Sequence, residues 1–174
     1  QAFKAGAYDL RLEGDPQQWV RAYDGPALKD GRLKLANFPH KRTEAVRGFA
    51  LNTRRPLLKD ITLRKALGLA FDFKWINKAL FDNQYKRTTS YFPNSELAYY
   101  KNEEDTENRR QHLVKASQML KQAGYTLRDN QLFTPSGEKV SFGVMLSDPV
   151  EEKIALEWGR NLKRLGIEAI IRTV

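Results

Sequence analysis

The sequence predicts a lobe of the α/β or α+β class, and three features carry that reading. Runs alternating apolar and polar residues at period two are interspersed with runs whose apolar residues recur every three or four positions. The closing stretch from Val140 to Val174 reads strand, helix, strand, long enough for a right-handed parallel crossover. No internal repeat of about 20–50 residues is visible, so a solenoid or propeller is not expected.

The elements follow from local signals. Gln1 to Gly6 read as the last turn of a helix closed by a glycine cap. Ala7 to Glu13 alternates, with Tyr8, Leu10 and Leu12 opposite in parity to the charges, which predicts a half-buried strand. Asp15-Pro16 supplies an N-cap and a first-position proline for a short helix carrying Trp19, Val20 and Tyr23, and Gly25-Pro26 ends it. Leu33 to Phe38 and Val46 to Asn52 are two further alternating runs, with a connection containing Pro39 between them. Pro56 and Asp60 introduce a helix from Ile61 to Phe71, with Ile61, Leu63, Leu67 and Ala70 or Phe71 at helical spacing. A second helix follows, with Phe73, Ile76, Asn77, Leu80 and Phe81 on its apolar face and Asp82-Asn83 as its stop.

From Gln84 to Glu104 no period survives, and this is the longest expected loop. Asp105 or Thr106 is the expected cap of the next helix, whose face is Leu113, Ala116, Met119, Leu120 and Ala123, and Gly124 stands at its left-handed C-terminus. Turn residues at Asp129-Asn130 and Pro135-Ser136-Gly137 flank Gln131 to Phe133 and predict a small hairpin. Its second arm is Lys139 to Leu146, with Val140, Phe142, Val144 and Leu146 on one side. Asp148-Pro149-Val150-Glu151 opens a helix that turns Ile154, Ala155, Trp158, Leu162 and Leu165 inward. Gly166 ends it, and the final residues to Val174 read as a buried strand. A chain that opens on the end of a helix and closes on a buried strand is expected to be a piece of something longer.

Composition bounds the partners. About a quarter of the 174 residues are Leu, Ile, Val or Phe, enough for one sizeable core. Mean hydropathy is −0.63, and every apolar stretch meets a charge well before the ~18 residues a helical membrane span needs. There is no cysteine, which excludes disulfides, thiol nucleophiles and cysteine-ligated metals. The net charge of +9 could attract nucleic acid, anionic lipid or acidic ligands. The basic residues come mostly in ones and twos, however, and that spread describes a solvated surface better than a phosphate-tracking stripe.

Catalytic and cofactor signatures are missing. The two histidines, His40 and His112, lack a metal-ligand spacing, so a metal site would need carboxylates gathered from distant segments. No dinucleotide fingerprint, phosphate loop or nucleophile elbow occurs. Glu103-Glu104-Asp105 is the one tight acidic cluster, and its place before a helix is explained by the helix dipole. No catalytic residue and no cofactor is expected. What remains is the aromatic, polar loop and Asn52-Thr53-Arg54-Arg55 at a strand end, where amides, hydroxyls and guanidinium groups can meet a ligand. Phe71 and Trp75 are expected in the core, and Tyr99 and Tyr100 as surface or packing residues.

One long run resembles a known family. Val46 to Asp72, VRGFALNTRRPLLKDITLRKALGLAFD, has the apolar strand ending in Asn-Thr, the proline, the aspartate opening a helix, then Arg-x-Ala-Leu and Ala-x-Asp. It is similar to the family 5 extracellular solute-binding proteins, the peptide- and nickel-binding components of ABC importers. The segments Asn83-Gln84-Tyr85, Thr88 to Ala98 and Gly124 to Asp129 resemble its YejA-like branch, associated with oligopeptides and peptide-like microcins. Phe73 after Asp72 departs from the wider family, in which many members carry a basic residue there.

The resemblance implies a bilobed periplasmic-binding-protein type II fold, a mixed sheet flanked by helices. Residues 1–174 would be a single fragment, most of the second ligand-binding lobe. It also implies capture without chemistry, of an oligopeptide or peptide-like ligand, with delivery to an inner-membrane ABC permease. The first lobe of the same chain would complete the site, and the compartment would be the periplasm of a Gram-negative bacterium. A receptor tolerant of sequence holds the ligand backbone with strand-edge and loop groups and leaves side chains in wet or aromatic pockets. The candidate contacts are Glu13 for an amine, Trp19, Asn52, Thr53, and Arg54 or Arg87 for a carboxylate or phosphate. Tyr85, Asn94, and the rings of Tyr91 and Phe92 for stacking complete the set. The alternative is a basic nucleic-acid-binding module, motivated by the pI near 9.8 and the loop aromatics. An enzyme assembled from distant carboxylates is the third reading.

Overall fold

The structure, a computed structural model, describes residues 2–43, 46–99 and 106–174. They divide into two compact units, one of Gln1–Val46 with Lys74–Tyr100 and one of Arg47–Phe73 with Lys101–Val174. The expected caps of Asp105 and the acidic cluster at 103–105 lie outside the described residues.

In the first unit, the opening turn ends as the glycine predicts. Gly6 has φ of 76°, its N–H donates to the Phe3 carbonyl, and the Ala7 N–H reaches back to the Ala2 carbonyl. That pair of bonds is the glycine-terminated end of a helical turn. Helix α1 (Pro16–Arg21) starts on Asp15, whose carboxylate accepts from the Gln17 and Gln18 N–H groups. A four-residue helix α2 (Pro26–Lys29) follows with Pro26 at its start. The expected strands at 7–13 and 33–38 do not form. Both segments are irregular, and Leu10 and Leu12 are 80% and 93% exposed. Alternation prepares a face, but a strand exists only when a neighbouring chain takes its backbone hydrogen bonds. No such neighbour stands among the described residues.

The second unit holds the larger core. Helix α3 (Pro56–Lys59) and helix α4 (Ile61–Leu69) are separated by Asp60, which caps α4 through the Thr62 N–H (2.7 Å). Helix α5 (Phe73–Phe81) belongs from Lys74 onward to the first unit, and its end is set by Asp82 and Asn83, both in left-handed conformation. Trp75 on α5 is 40% exposed rather than in the core, whereas Phe71 packs against the core of its unit. The cap of α6 (Arg109–Gln122) is Asn108, not Thr106. Asn108 and Gln111 bond reciprocally in a capping box, a pairing Thr106 has no partner to match.

Gly124, with φ of 86°, ends α6 and leads into β1 (Thr126–Arg128), which turns at Asp129-Asn130 onto β2 (Gln131–Phe133). The predicted hairpin therefore pairs Gln131–Phe133 backward with β1. Toward Lys139 it makes only the bridge from Phe133, because β3 (Ser141–Leu146) takes a different partner. That partner is β4 (Glu168–Thr173), parallel to β3 in the register Ser141–Glu168 to Leu146–Thr173, after the crossover helix α7 (Pro149–Arg164). The two sheets are thus one antiparallel and one parallel pair. β4 alternates between half-buried and exposed residues instead of being buried throughout, since α7 packs against only one face of its sheet.

The core lies where α4, α6, α7 and the strands meet. Leu63, Leu67, Leu120, Val140, Leu162 and Ile167 are essentially fully buried there, each apolar side chain contributing about 1.5–3 kcal/mol. The expected strand at 46–52 is irregular backbone, yet its parity survives, since Phe49 and Leu51 pack on this core. Phe49 stacks on Trp158 at 5.0 Å and 8°. Trp158 Nε1–H and Asn161 Nδ2–H donate to the carbonyls of Leu67 and Ala70, so α7 supplies donors to the last turn of α4.

Candidate functional site

The ten candidate contacts fall into both units. Glu13, Trp19, Tyr85, Arg87, Tyr91, Phe92 and Asn94 belong to the first, and Asn52, Thr53 and Arg54 to the second.

Glu13 is engaged within its own unit. Tyr23, itself buried, donates its hydroxyl to Glu13 Oε2 (2.7 Å), Arg11 Nη2 lies 3.1 Å from the same oxygen, and the Asp15 N–H donates to Oε1. The Tyr23 bond first, then the Asp15 N–H, hold the Glu13 carboxyl below its usual range. Reciprocally, the bond to Glu13 and then burial push the Tyr23 phenol upward. Phe3 packs edge-on to Tyr23, and Lys4 Nζ sits 5.7 Å from that ring. Glu13 thus braces the entry to α1, where Trp19 is half-buried.

The aromatic loop is the most organised irregular segment. At its entry the Asn77 side chain acts as a surrogate strand edge. Its Nδ2–H donates to the Tyr85 carbonyl (2.7 Å) and its Oδ1 accepts the Tyr85 N–H (3.1 Å). The Tyr85 ring meets Phe81 edge-on at 4.7 Å, and Arg21 pairs with Asp82 at 2.9 Å. Farther on, Ser90 is buried, and its Oγ accepts the N–H groups of Phe92 (3.2 Å) and Tyr99 (3.0 Å). Thr88 Oγ1 accepts from the Ser90 N–H and donates to the Ser90 carbonyl, while Thr89 Oγ1 donates to the Tyr99 carbonyl. Asn94, at φ of 58°, makes the turn, and its Nδ2–H reaches the Arg42 carbonyl. With backbone groups so occupied, the rings face outward: Tyr91 is 76% and Tyr99 65% exposed, and Tyr91 meets Phe92 edge-on at 5.3 Å. Arg87 is exposed on the approach to this knot.

In the second unit, Asn52 Oδ1 accepts the Arg54 N–H (3.1 Å) and the Asn52 carbonyl accepts the Arg55 N–H (3.1 Å). This side-chain turn aims the chain into Pro56 and leaves Thr53 and Arg54 exposed. Asp60, next in line, also accepts the Tyr125 hydroxyl. Burial pushes Asp60 upward, but the bonds from Tyr125, Thr62 and Leu63 outweigh it and leave the carboxyl below the usual aspartate range.

Asn77, Thr88 and Ser90 were not among the candidates, although they position the loop. Part of the signal was in the sequence, since a Thr-Thr-Ser run offers hydroxyls that bond the backbone two residues on, as Thr88 does to Ser90 and Ser90 to Phe92. The bonds of Asn77 to Tyr85 and of Ser90 to the Tyr99 N–H span eight and nine residues and have no local signal. Several of the described cations are held by partners within the protein. Arg11, Arg21, Arg32, Lys139 and Arg160 pair with carboxylates, and Arg64 Nη1 donates to the Leu58 and Lys59 carbonyls at the end of α3.

Comparison with known proteins identifies the family. The family model described as bacterial extracellular solute-binding proteins, family 5 middle, matches residues 1–174. A probable peptide-binding protein of Agrobacterium fabrum, YejA, is 34% identical over an alignment covering 100% of this chain and 34% of its own length. The chain spans about a third of the length of the curated relatives it matches. Among solved structures, the nickel ABC transporter of Bacillus halodurans superposes with a TM-score of 0.66 at 25% identity, over 99% of this chain and 34% of that one. The oligopeptide-binding protein AppA of Bacillus subtilis, solved with a nonapeptide, gives 0.56 at 31% identity, over 71% and 25%. These matches leave the nucleic-acid reading without support. On the match along its whole length, the chain belongs to the bacterial extracellular solute-binding proteins of family 5, in the branch that includes YejA.

Proposed function

We propose that this chain is most of the second ligand-binding lobe of a longer receptor that captures oligopeptides or peptide-like compounds outside the cytoplasm and delivers them to an inner-membrane ABC permease. The receptor works in the periplasm and binds its cargo without altering it. The observation that carries the reading is the family match over all 174 residues, joined to relatives and a solved neighbour whose names describe peptide binding.

The loop after α5 suits such a role. A receptor that accepts many sequences gains little from charges matched to one side chain, and more from a rigid wall of rings and amides. Within the first unit Tyr91 and Phe92 form that wall, Tyr85 and Asn94 frame it and Arg87 stands exposed on the same loop; in the second unit, taken by itself, the exposed Arg54 guanidinium suits a ligand carboxylate. Asn52 and Thr53 present their turn, while Glu13 and Trp19 act through the entry to α1.

A clamp predicts dependence on both lobes. Mass spectrometry of what co-purifies with the longer receptor identifies the cargo, and calorimetry then measures that cargo on the longer receptor and on the 174-residue chain. Tight binding by the receptor and weak binding by the chain is the expected outcome. Equal affinity contradicts the clamp, and turnover of the cargo contradicts capture without chemistry.

A further inference from the structure

We propose that Ser90 is a positioning residue that holds the loop 88–99 as a preformed aromatic platform, and that this platform selects ligands carrying an aromatic side chain. The inference rests on the peptide-capture reading above and names the ligand chemistry of one part of that site.

The geometry is unusual for an exposed loop. Ser90 is buried within a stretch whose neighbours are exposed, and one hydroxyl oxygen accepts two backbone N–H groups from residues on opposite arms, Phe92 and Tyr99. Thr88 fixes the Ser90 backbone through both its N–H and its carbonyl, and Thr89 ties down the Tyr99 carbonyl. Ser95 closes the tip, donating to the Phe92 carbonyl and accepting the Leu97 N–H. Satisfying these backbone groups locally removes the need for a neighbouring strand or helix. Beside the exposed polar residues Thr88, Thr89, Asn94 and Glu96, the knot leaves Tyr91, Phe92, Leu97 and Tyr99 76%, 48%, 74% and 65% exposed.

Rings already ordered lose little entropy when a ligand ring packs on them. Tyr91 and Phe92 meet edge to face, so the outer ring presents a face on which a further ring can pack. A ring–ring contact of about 0.5–1.5 kcal/mol beyond area burial corresponds to a preference of roughly two- to tenfold.

The test uses the longer receptor and an equimolar pool of random pentapeptides, with retained peptides sequenced by mass spectrometry and amide exchange followed at Phe92 and Tyr99. Wild type is expected to enrich Phe-, Tyr- and Trp-containing peptides roughly two- to tenfold over the pool. Ser90→Ala is expected to speed exchange at both amides and abolish the enrichment, and Ser90→Thr, which keeps the hydroxyl, to restore it. Should Ser90→Ala fail to fold, Thr88→Val removes both Thr88 bonds from an exposed position and serves in its place. Enrichment unchanged in the variants despite faster exchange overturns the positioning role. Peptides retained by wild type without aromatic enrichment overturn the selectivity while leaving peptide capture intact. If wild type retains no peptide at all, the capture reading falls and this inference with it.

Discussion

Replacing Gly166 by alanine tests the packing of the second unit most directly. Gly166 joins α7 to β4 with φ of 77°, a conformation that costs an L-residue roughly 1–2 kcal/mol. An added Cβ would also lie 2.5 Å from Leu127 Cδ1, 2.8 Å from the Leu132 nitrogen and 3.1 Å from the Gln131 carbonyl carbon. The exposed Leu127 side chain can swing away. The backbone of β2 cannot, because the Leu132 N–H donates to the Gly166 carbonyl at 2.8 Å and must shift with it. Overpacking of this kind costs about 1–3 kcal/mol, and weakening that bond up to about 1 more.

Gly137 supplies the control. It has φ of 86° and nothing within 4 Å of its would-be Cβ, so Gly137→Ala carries the backbone cost alone. Gly166→Ala should therefore be less stable than Gly137→Ala by about 2 kcal/mol, within a range of about 1–4, in urea unfolding. For a chain of this length that separates their melting temperatures by roughly 4–8 °C. A difference under about 0.5 kcal/mol would refute the claim that the hairpin is locked onto this turn.

Further outcomes follow from the buried polar contacts. Tyr125→Phe removes the hydroxyl that Asp60 accepts and should cost about 1–3 kcal/mol, with the Asp60 carboxyl rising toward its ordinary value in an NMR titration. Because Asp60 is held below its unfolded value, its contribution is complete above about pH 4 and is lost as pH falls through the folded value. The stability gap between wild type and Asp60→Asn should accordingly stay flat near neutrality and narrow in acid. Burial and then the Asp60 bond push the Tyr125 phenol above its ordinary value, so that contribution is full below about pH 10 and declines above it. Trp158→Phe keeps a ring against Phe49 but strips the donor from the Leu67 carbonyl. It should destabilise by about 1–3 kcal/mol in equilibrium unfolding, and a cost near zero would show that water replaces the donor.

The candidate site was legible in part. Its segments and exposed rings could be read from composition and from the resemblance, since loops rich in Tyr, Asn and Pro with no period stay at the surface. The knot at Ser90 was not, because several Ser and Thr residues stand within reach and only folding selects the hydroxyl that accepts both the Phe92 and the Tyr99 N–H. Division of the ten candidates between two units was likewise invisible in one dimension.

Helix boundaries were determined by the sequence alone wherever the deciding bond spans two or three residues. Asp15, Asp60 and Asp148 each cap a helix through N–H groups two or three positions on, and Gly124 and Gly166 end α6 and α7 with the positive φ their type permits. At Thr106 the same logic failed, because Asn108 competes for the role with Gln111 as its reciprocal partner. Strand formation was decided by tertiary structure. The runs at 7–13, 33–38 and 46–52 alternate as cleanly as β3, yet among the described residues only β3 of these four meets a partner, which the α7 crossover brings alongside as β4. Alternation specifies which side chains face a core, whereas a ladder requires donors and acceptors from a distant part of the chain, and no local pattern supplies those.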